Sequence, residues 1–496
     1  MRKTRAAVIG AGVGGLSAAI ALAARGVEVE LVERAPRPGG KMREVRAGDA
    51  LLDAGPTVFT MRWIFDALFA EAGASLDEHV KLIAVDRLAR HGWTDGARFD
   101  LFADPDRARA AVAEFAGPEE ARRFEAFKAR ARRIYDTLEQ PFIAAQQPNT
   151  LSLIRRVGWR NIPALFETTP FQSMAKALAQ EFRDPKLRQL FGRYATYCGS
   201  SPYVAPATLM LVAHVELVGV WLVEGGMARL AEALARLAEA RGARIRYGAH
   251  VSEVLVEGGR VAGLRLADGE MVRADLVVSN ADASALGAGC FGEAARSAAP
   301  AAKPKDRSIS AMVWSAHAET SGFPLTRHSV FFDAGDYARE FDAIFRRRTT
   351  PEAPTVYICA QDRGEDAPDD PIGRERLHIH VNAPADGDLR AMSEEEIAAC
   401  ATRSFETLRA CGLEVALTPE ATVLTTPQGF EALFPATGGA LFGRATHGAF
   451  GAFARPASRS RIAGLYLAGG SVHPGAGVPM AAMSGRLAAQ AALEDL

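Results

Sequence analysis

The chain has 496 residues, 48% of them hydrophobic, and its 58 basic and 59 acidic residues leave a formal net charge of −1. This length predicts two domains with a substantial buried core. The balanced charge argues against a nucleic-acid-binding protein, which usually carries a basic surplus. The five cysteines form no CxxC pair, so a reducing compartment is predicted, with neither a disulfide framework nor a zinc site.

The N-terminus predicts a dinucleotide-binding turn. A short apolar strand, 5–9, leads into glycines at positions 10, 12, 14 and 15, then a helix over 16–25 and a second strand over 27–32 that ends at Glu33. In G-x-G-x-x-G, Gly10 permits the tight turn, Gly12 lets a pyrophosphate approach the backbone, and Gly15 allows close helix–strand packing. Gly14 belongs to the same turn. Glu33 is placed to accept hydrogen bonds from the adenosine ribose.

A second glycine pair follows soon after this acid. Gly39-Gly40-Lys41 precedes Asp53-Ala54-Gly55-Pro56. Glu33 disfavours the 2′-phosphate of NADP, although Arg34 leaves NADP open. The pattern resembles the FAD-binding start of the flavin amine oxidase and carotenoid desaturase superfamily, in which the Gly-Gly-Lys turn lies near the pyrophosphate and flavin. That resemblance implies FAD and includes Asp53 among the cofactor-binding residues, with a turn cap as its alternative role.

The middle of the chain predicts an interrupted α/β fold. A helix over 228–241 precedes strands 251–256, 261–266 and 275–280, which Gly-Gly and Asp-Gly turns separate. Further strands are predicted over 311–315, 329–332, 355–360 and 377–382, with a helix over 393–411 and a surface loop over 363–371. We expect an FAD-binding Rossmann-type domain assembled from 1–80, 222–290 and 455–496. A mixed α+β substrate domain is expected from 81–221, which reads as helical, and from 291–454.

One stretch between residues 122 and 160 is rich in basic residues. It is either a solvated helical face or a surface for anionic lipid. Within it, Arg155–Arg160 includes Trp159 and is flanked by the apolar runs 151–154 and 162–166. Neither this stretch nor the apolar window 208–223, which contains His214 and Glu216, predicts a transmembrane helix. The N-terminal apolar run is broken by glycines and predicts a strand rather than a signal peptide.

The C-terminal segment predicts a second ligand-binding turn. A strand at 465–467 leads into a turn containing Gly469, Gly470 and Gly477, and a helix follows over 480–493. Such a turn presents unpaired N–H groups at the positive end of a helix dipole. Two turns of this kind at opposite ends of the sequence predict one large cofactor held by both.

Over essentially its whole length the chain resembles the phytoene desaturase-type carotenoid desaturases. The resemblance rests on Gly10–Gly15, Glu33, Gly39–Gly40, the segment 219–227, Ser279–Asp282 and His473–Pro479. The motif Gly-Gly-Ser-Val-His-Pro-Gly-Ala-Gly-Val-Pro-Met is most similar to that of the 1-hydroxycarotenoid 3,4-desaturases. This branch of the family is also called the hydroxyneurosporene or methoxyneurosporene dehydrogenases.

This resemblance implies FAD-dependent removal of two hydrogens from a C–C bond of an acyclic carotenoid. It places Gly469, Gly470, Gly477, Val478 and Pro479 at the flavin, and Val251 at the adenine side. His473 and Glu224 are the candidate proton acceptors. Five phenylalanines of the last quarter are candidates to line a substrate tunnel: 430, 434, 442, 450 and 453. A carotenoid substrate also implies a peripheral protein on the cytoplasmic side of a bacterial inner or photosynthetic membrane, with a quinone or oxygen as electron acceptor.

Four alternatives compete with this hypothesis. A phytoene desaturase would act on phytoene, at an earlier stage of carotenoid synthesis. A flavin amine oxidase would surround its amine with an aromatic cage near the C-terminal motif, where only Tyr466 is close in sequence. A carotenoid isomerase would leave the substrate's mass unchanged. A lipid- or prenyl-binding chaperone of the same fold need not hold FAD, which the complete set of glycines and Glu33 argues against.

Overall fold

The computed structural model describes residues 3–158, 162–364 and 373–496. Residues 159 and 160 of the predicted lipid-facing stretch and 365–371 of the predicted surface loop therefore lie outside the described residues. The described strands are β1 Arg5–Ile9, β2 Glu28–Val32, β3 Glu44–Ala47, β4 Ala50–Asp53, β5 Leu82–Ala84, β6 Arg87–Trp93, β7 Arg98–Phe102, β8 Trp221–Val223, β9 Arg244–Arg246, β10 Val251–Glu257, β11 Arg260–Leu266, β12 Met271–Arg273, β13 Leu276–Ser279, β14 Ser310–Gly322, β15 His328–Phe332, β16 Val356–Ala360, β17 Glu375–Ala383, β18 Leu413–Ala416, β19 Thr422–Thr425 and β20 Leu465–Leu467.

Helices connect these strands, and several of them stand together between residues 105 and 217. The described α-helices are α1 Val13–Ala23, α2 Arg62–Glu71, α3 Pro105–Ala116, α4 Pro118–Leu138, α5 Thr150–Val157, α6 Ile162–Glu167, α7 Met174–Glu181, α8 Pro185–Gly192, α9 Leu211–Leu217, α10 Met227–Ala240, α11 Ala283–Gly287, α12 Ala338–Asp342, α13 Glu394–Ala410, α14 Pro427–Leu433 and α15 Val478–Glu494. No helix among them is long and apolar enough to cross a lipid bilayer.

The first sheet is parallel and draws strands from distant parts of the chain. Its order is β20-β13-β1-β2-β9. Alternate residues of β1 point to opposite faces. Ala6 and Val8 pack toward α1, α10 and α15, while Ala7 and Ile9 pack against the small antiparallel sheet β10-β11-β12. Both faces are therefore buried, as in doubly wound α/β folds, and the predicted Rossmann-type fold is confirmed.

The second sheet has the order β18-β14-β17-β16-β15-β6-β7, with β19 also paired to β14. The strands and the helix predicted between residues 311 and 411 are confirmed as β14–β17 and α13. The prediction that 81–221 is helical was incomplete, because β6 and β7 form a hairpin that joins this sheet. β6 pairs in parallel with β15, a partner too distant in sequence for a local pattern to reveal.

The first residue of the predicted surface loop 363–371 is buried rather than exposed. Arg363, the first residue of the predicted surface loop, is only 5% exposed and forms a 2.8 Å ion pair with the buried Glu375 of β17. Arg363 is thus part of the interior of the domain, whereas Gly364 is exposed.

Candidate active site

The turn between β1 and α1 is built around glycines that leave no room for side chains. Gly12 is the N-cap of α1, and no side chain caps this helix end. A Cβ on Gly15 would collide with the carbonyl oxygen of Gly10, and one on Gly14 would lie 2.9 Å from the backbone nitrogen of Gly469. Gly10, Gly12 and Gly14 line a large cavity, while Gly15 lies beneath the turn. The uncapped helix end therefore faces a space that an anionic group can enter.

Glu33 is fixed beside this turn at the carboxyl end of β2. Its Oε2 atom accepts a hydrogen bond from Ala11 N at 2.7 Å, and Oε1 accepts one from Ala35 N at 2.8 Å. Although only 8% exposed, Glu33 lines the cavity. A carboxylate has lone pairs left after two such bonds, so it can accept ribose hydroxyl groups. The prediction for this residue fits the geometry.

The second glycine pair packs directly on the first turn. Gly39 N donates to Ala11 O at 2.9 Å, and a Cβ on Gly40 would lie 3.2 Å from Gly12 Cα. Both glycines have positive φ, 128° and 58°, which L-residues with side chains rarely adopt. Lys41 follows, and its Nζ donates to Leu441 O at 2.6 Å. Burial lowers the pKa of Lys41. All three residues line the same cavity.

The C-terminal turn closes the cavity from the opposite side. Gly469 and Gly470 follow β20, and Gly477, with φ of 109°, is the N-cap of α15. No side chain caps this helix, and Val478 and Pro479 join the three glycines in lining the cavity. The two uncapped helix N-termini, of α1 and α15, thus open on one space.

The helices α1 and α15 cross at an unusually close point. A Cβ on Gly485 would collide with the carbonyl oxygen of Gly14. This contact brings α15 against the start of α1, and Gly485, inside an otherwise alanine-rich helix, was not among the residues predicted from the sequence.

Val251, predicted at the adenine side, begins β10 and is 4% exposed. It lines the cavity beside Ala249, whose N donates to Glu33 O at 2.9 Å. The structure therefore places Val251 near Glu33, and its contact with the adenine side stays a prediction.

The cavity has a volume of about 1540 Å³, above the range of ~300–1,000 Å³ typical of a single small-molecule site. Besides the glycine turns, its walls come from apolar residues of α5, α6 and α9 and from the face of the second sheet. All five phenylalanines singled out from the sequence line it: Phe430, Phe434, Phe442, Phe450 and Phe453. Its size and two kinds of wall suit a dinucleotide and a long apolar ligand together.

Three predicted site residues lie elsewhere. Asp53 does not line the cavity. Its Oδ2 accepts from Met227 N at 2.7 Å and its Oδ1 from Ala228 N at 3.3 Å, so it holds the start of α10. The prediction that it binds the cofactor was wrong, because unpaired N–H groups at a helix start recruit a nearby carboxylate.

The prediction of Glu224 as a proton acceptor was also wrong. Its carboxylate is exposed and forms a 2.6 Å ion pair with Lys81 on the surface, away from the cavity lining. A solvated carboxylate at this position has no access to a reacting group in the cavity.

His473 is fully buried but does not line the cavity. Its Nε2 donates to the carbonyl oxygens of Phe142 and Ala145 at 3.0 and 2.9 Å. Burial lowers its pKa to about 4. The residue ties the C-terminal turn to the segment after α4, so its predicted role as a proton acceptor was wrong.

The cavity face of the second sheet carries polar residues that sequence analysis missed. On β17, Leu377, Ile379 and Val381 enter the apolar core, while His378, His380 and Asn382 line the cavity. His328 and Tyr357 line it from β15 and β16. The alternation Leu-His-Ile-His-Val-Asn was the available signal, since alternate residues of a strand face opposite sides.

Comparisons with known proteins agree with this geometry. Residues 13–493 match the family described as flavin-containing amine oxidoreductase. A hydroxyneurosporene desaturase of Rubrivivax gelatinosus is 54% identical over 100% of this chain and 94% of its own length. One from Cereibacter sphaeroides is 47% identical over 99% of this chain and 97% of its own length.

Among solved structures, putrescine oxidase bound to putrescine superposes with a TM-score of 0.60, covering 99% of each chain. At 16% identity this similarity concerns the fold alone.

Proposed function

Because the chain belongs to the family of flavin-containing amine oxidoreductases, we propose that it is an FAD-dependent carotenoid desaturase. Its substrate is an acyclic 1-hydroxy or 1-methoxy carotenoid such as hydroxyneurosporene, in which it forms the C3–C4 double bond. The observation that carries this proposal is the 54% identity, over the full chain, to a hydroxyneurosporene desaturase. The glycine turns, Glu33 and the adjoining apolar space supply the two binding regions that such a reaction requires.

FAD, when bound, supplies the hydride acceptor for this oxidation. The residues of the chain position FAD and the carotenoid relative to each other. N–H groups at the uncapped start of α15 and the positive end of its dipole favour negative charge in the cavity. The phenylalanines and the helical walls exclude water and hold the polyene. Since His473 and Glu224 do not face the cavity, neither receives the proton that leaves the neighbouring carbon.

One contact argues against an amine oxidase. Tyr197 and Tyr357 line the cavity, but the Arg193 guanidinium already lies against both rings, at 5.2 and 5.3 Å from their centres. The aromatic surface that would receive a substrate cation is therefore occupied by a cation of the protein.

Expression in bacteria that accumulate phytoene, neurosporene or hydroxyneurosporene tests the function. We expect a red-shifted carotenoid absorption in the hydroxyneurosporene strain, because a C3–C4 double bond extends that chromophore. Cells carrying an empty vector are the control. A red shift in the phytoene strain instead would reassign the enzyme to an earlier step. Bleaching of the purified flavoprotein by amines would favour an amine oxidase.

We further propose that the protein docks on the cytoplasmic face of a bacterial inner or photosynthetic membrane. The argument rests on four strongly exposed apolar residues near the cavity mouth, which we call the mouth patch: Leu151, Phe166, Phe171 and Phe450, exposed by 73, 69, 76 and 59%. The three phenylalanines also line the cavity. Such a patch is typical of a membrane-contacting surface, and it would let a carotenoid enter directly from lipid. A quinone or oxygen then reoxidises the flavin.

The basic residues between 122 and 160 fall into two groups: those that form ion pairs on α4 and those that lie beside the mouth patch. On α4, Arg122 pairs with Glu119 at 2.7 Å and Lys128 with Glu125 at 2.9 Å, and the other basic residues of this helix also meet carboxylates. That helix is a solvated ionic face. Arg155 and Arg156 on α5 are exposed beside Leu151, and they are the basic residues we assign to anionic lipid.

The double substitution Phe171→Ser/Phe450→Ser should weaken binding to vesicles of anionic phospholipid. The two rings are 6.1 Å apart and would enter the bilayer together. Each contributes about 1.5–3 kcal/mol when buried, so partitioning should fall by at least about tenfold. Sedimentation with vesicles measures it, and Leu389→Ser, at an exposed site of 59%, is the control. Equal partitioning of both variants would contradict the proposal.

A further inference from the structure

The floor of the cavity is more polar than a hydrocarbon ligand requires. The side chains that β15, β16 and β17 present to it include His328, Tyr357, His378, His380 and Asn382. Successive side chains of a strand point to opposite faces of the sheet. These polar residues therefore face the cavity, while their neighbours along each strand face the core. A polyene offers no hydrogen bond to any of them, so buried polar groups here point to an oxygen-bearing part of the ligand.

His328 is the most informative of these residues. It is 3% exposed, its Nδ1 lies 2.8 Å from Tyr357 Oη, and Tyr357 Oη lies 2.6 Å from Thr57 Oγ1. Its Nε2 atom is buried and has no hydrogen-bond partner among the described residues. The Thr57–Tyr357 chain thus fixes the ring while one nitrogen is left for a ligand.

This histidine lies close to the cofactor turns. Thr57 comes two residues after Gly55, and a Cβ on Gly55 would collide with the carbonyl oxygen of Lys41, in the second glycine turn. The Tyr357 ring also lies 5.3 Å from the Arg193 guanidinium. Arg193 donates to Tyr197 Oη at 3.0 Å.

We propose that His328 Nε2 binds the C1 hydroxyl of the carotenoid, and that Thr57 and Tyr357 position this imidazole. The inference rests on the function proposed above. Only the C1–C2 and C2–C3 bonds separate the hydroxyl-bearing carbon from the bond that is oxidised, so the hydroxyl must bind next to the cofactor turns. Holding it there selects C3–C4 as the bond that faces the flavin.

A hydroxyl group suits His328 in either tautomer. It donates to Nε2 when Nδ1 carries the proton, and it accepts from Nε2 when the proton is there. The same carotenoid without the hydroxyl would leave Nε2 buried and unpaired, and sites of this kind discriminate strongly against the analogue that lacks the polar group. His328 is therefore the specificity-determining residue.

The test compares hydroxyneurosporene with neurosporene in the FAD-loaded wild-type enzyme and in His328→Phe and His328→Gln. We expect His328→Phe to lower kcat/KM for hydroxyneurosporene about 10- to 100-fold while leaving that for neurosporene equal or higher. His328→Gln, which can still hydrogen-bond, should keep much of the preference. His91→Phe is the control, because His91 is 4% exposed on the neighbouring strand β6 and does not line the cavity.

A second readout is the dissociation constant of each carotenoid from the dithionite-reduced enzyme, which cannot oxidise it. Quenching of protein fluorescence reports the binding. The preference for hydroxyneurosporene over neurosporene, measured as the ratio of their dissociation constants, should fall in His328→Phe as the ratio of kcat/KM values does. An equal loss for both carotenoids, an unchanged ratio, or a changed ratio in His378→Phe but not in His328→Phe would overturn the assignment. Failure of the wild-type enzyme on hydroxyneurosporene would instead reject the proposed function itself.

Discussion

Replacing Gly12 by valine should yield a folded protein that purifies without flavin and desaturates nothing. Gly12 has φ −73° and ψ 169°, an extended conformation that valine adopts without strain. The nearest atom to an added Cβ is Asn280 Nδ2 at 2.7 Å, the mobile end of a side chain. The valine would therefore fill the space that the pyrophosphate must approach, and we expect FAD affinity to fall about 100-fold.

Flavin absorption of the purified protein, relative to protein concentration, measures this loss, and circular dichroism checks the fold. Gly364→Val is the matched control, since a Cβ at Gly364 meets no atom of the described residues within 4 Å. Gly12→Val protein with a full complement of flavin would show that the cofactor does not approach this turn.

Lowering the pH from 7 to 5 should destabilise the protein strongly. Burial lowers the pKa of four histidines that are at most 4% exposed, to about 3 for His91, His328 and His378 and to about 4 for His473. An unfolded histidine titrates at about pH 6.5, so the unfolded state binds more protons as the pH falls below this value. The loss between pH 7 and 5 is about 2 kcal/mol per histidine and about 8 kcal/mol for all four.

Three buried carboxyl groups act in the opposite direction. Burial raises the pKa of Asp53, Glu216 and Glu340, so the folded state takes up their protons first and gains stability as the pH falls. We therefore expect a net loss of several kcal/mol, compared with ~5–15 kcal/mol for a typical domain. Urea unfolding at the two pH values measures it. His91→Phe should reduce the pH dependence by about 2 kcal/mol, and equal midpoints at both pH values would refute the expectation.

The parts of the site that local sequence dictates were predictable. Gly10, Gly12 and Glu33 lie within one β-α-β unit, and the turn, helix start and strand end that position them are all local. The glycines before α15 follow the same logic. Asp53 and Glu224 were misassigned because a carboxylate's role depends on what lies beside it in space. An uncapped helix start lies beside Asp53, and Lys81 lies beside Glu224.

Non-local pairing explains what else was missed. The Asp95-Gly96 turn between β6 and β7 is a hairpin signal, yet only the pairing of β6 with β15 shows that this hairpin belongs to the second sheet. The polar residues of β17 were visible in sequence, but which face of the strand meets a cavity depends on where α13 packs. The role proposed for His328 depends on its hydrogen bond to Tyr357 and on its place in the cavity wall, and neither is visible in the sequence.

The crossing of Gly14 and Gly485 bears on how the protein is made in the cell. The two glycines are nearly the whole described chain apart, and a ribosome synthesises and releases N-terminal segments first. During synthesis α1 is therefore present long before α15 arrives to cover its apolar side. The apolar side of α1 therefore stays without its final cover until α15 has been synthesised. Flavin capture must wait for both walls of the binding site, because the C-terminal glycine turn is translated long after the N-terminal one.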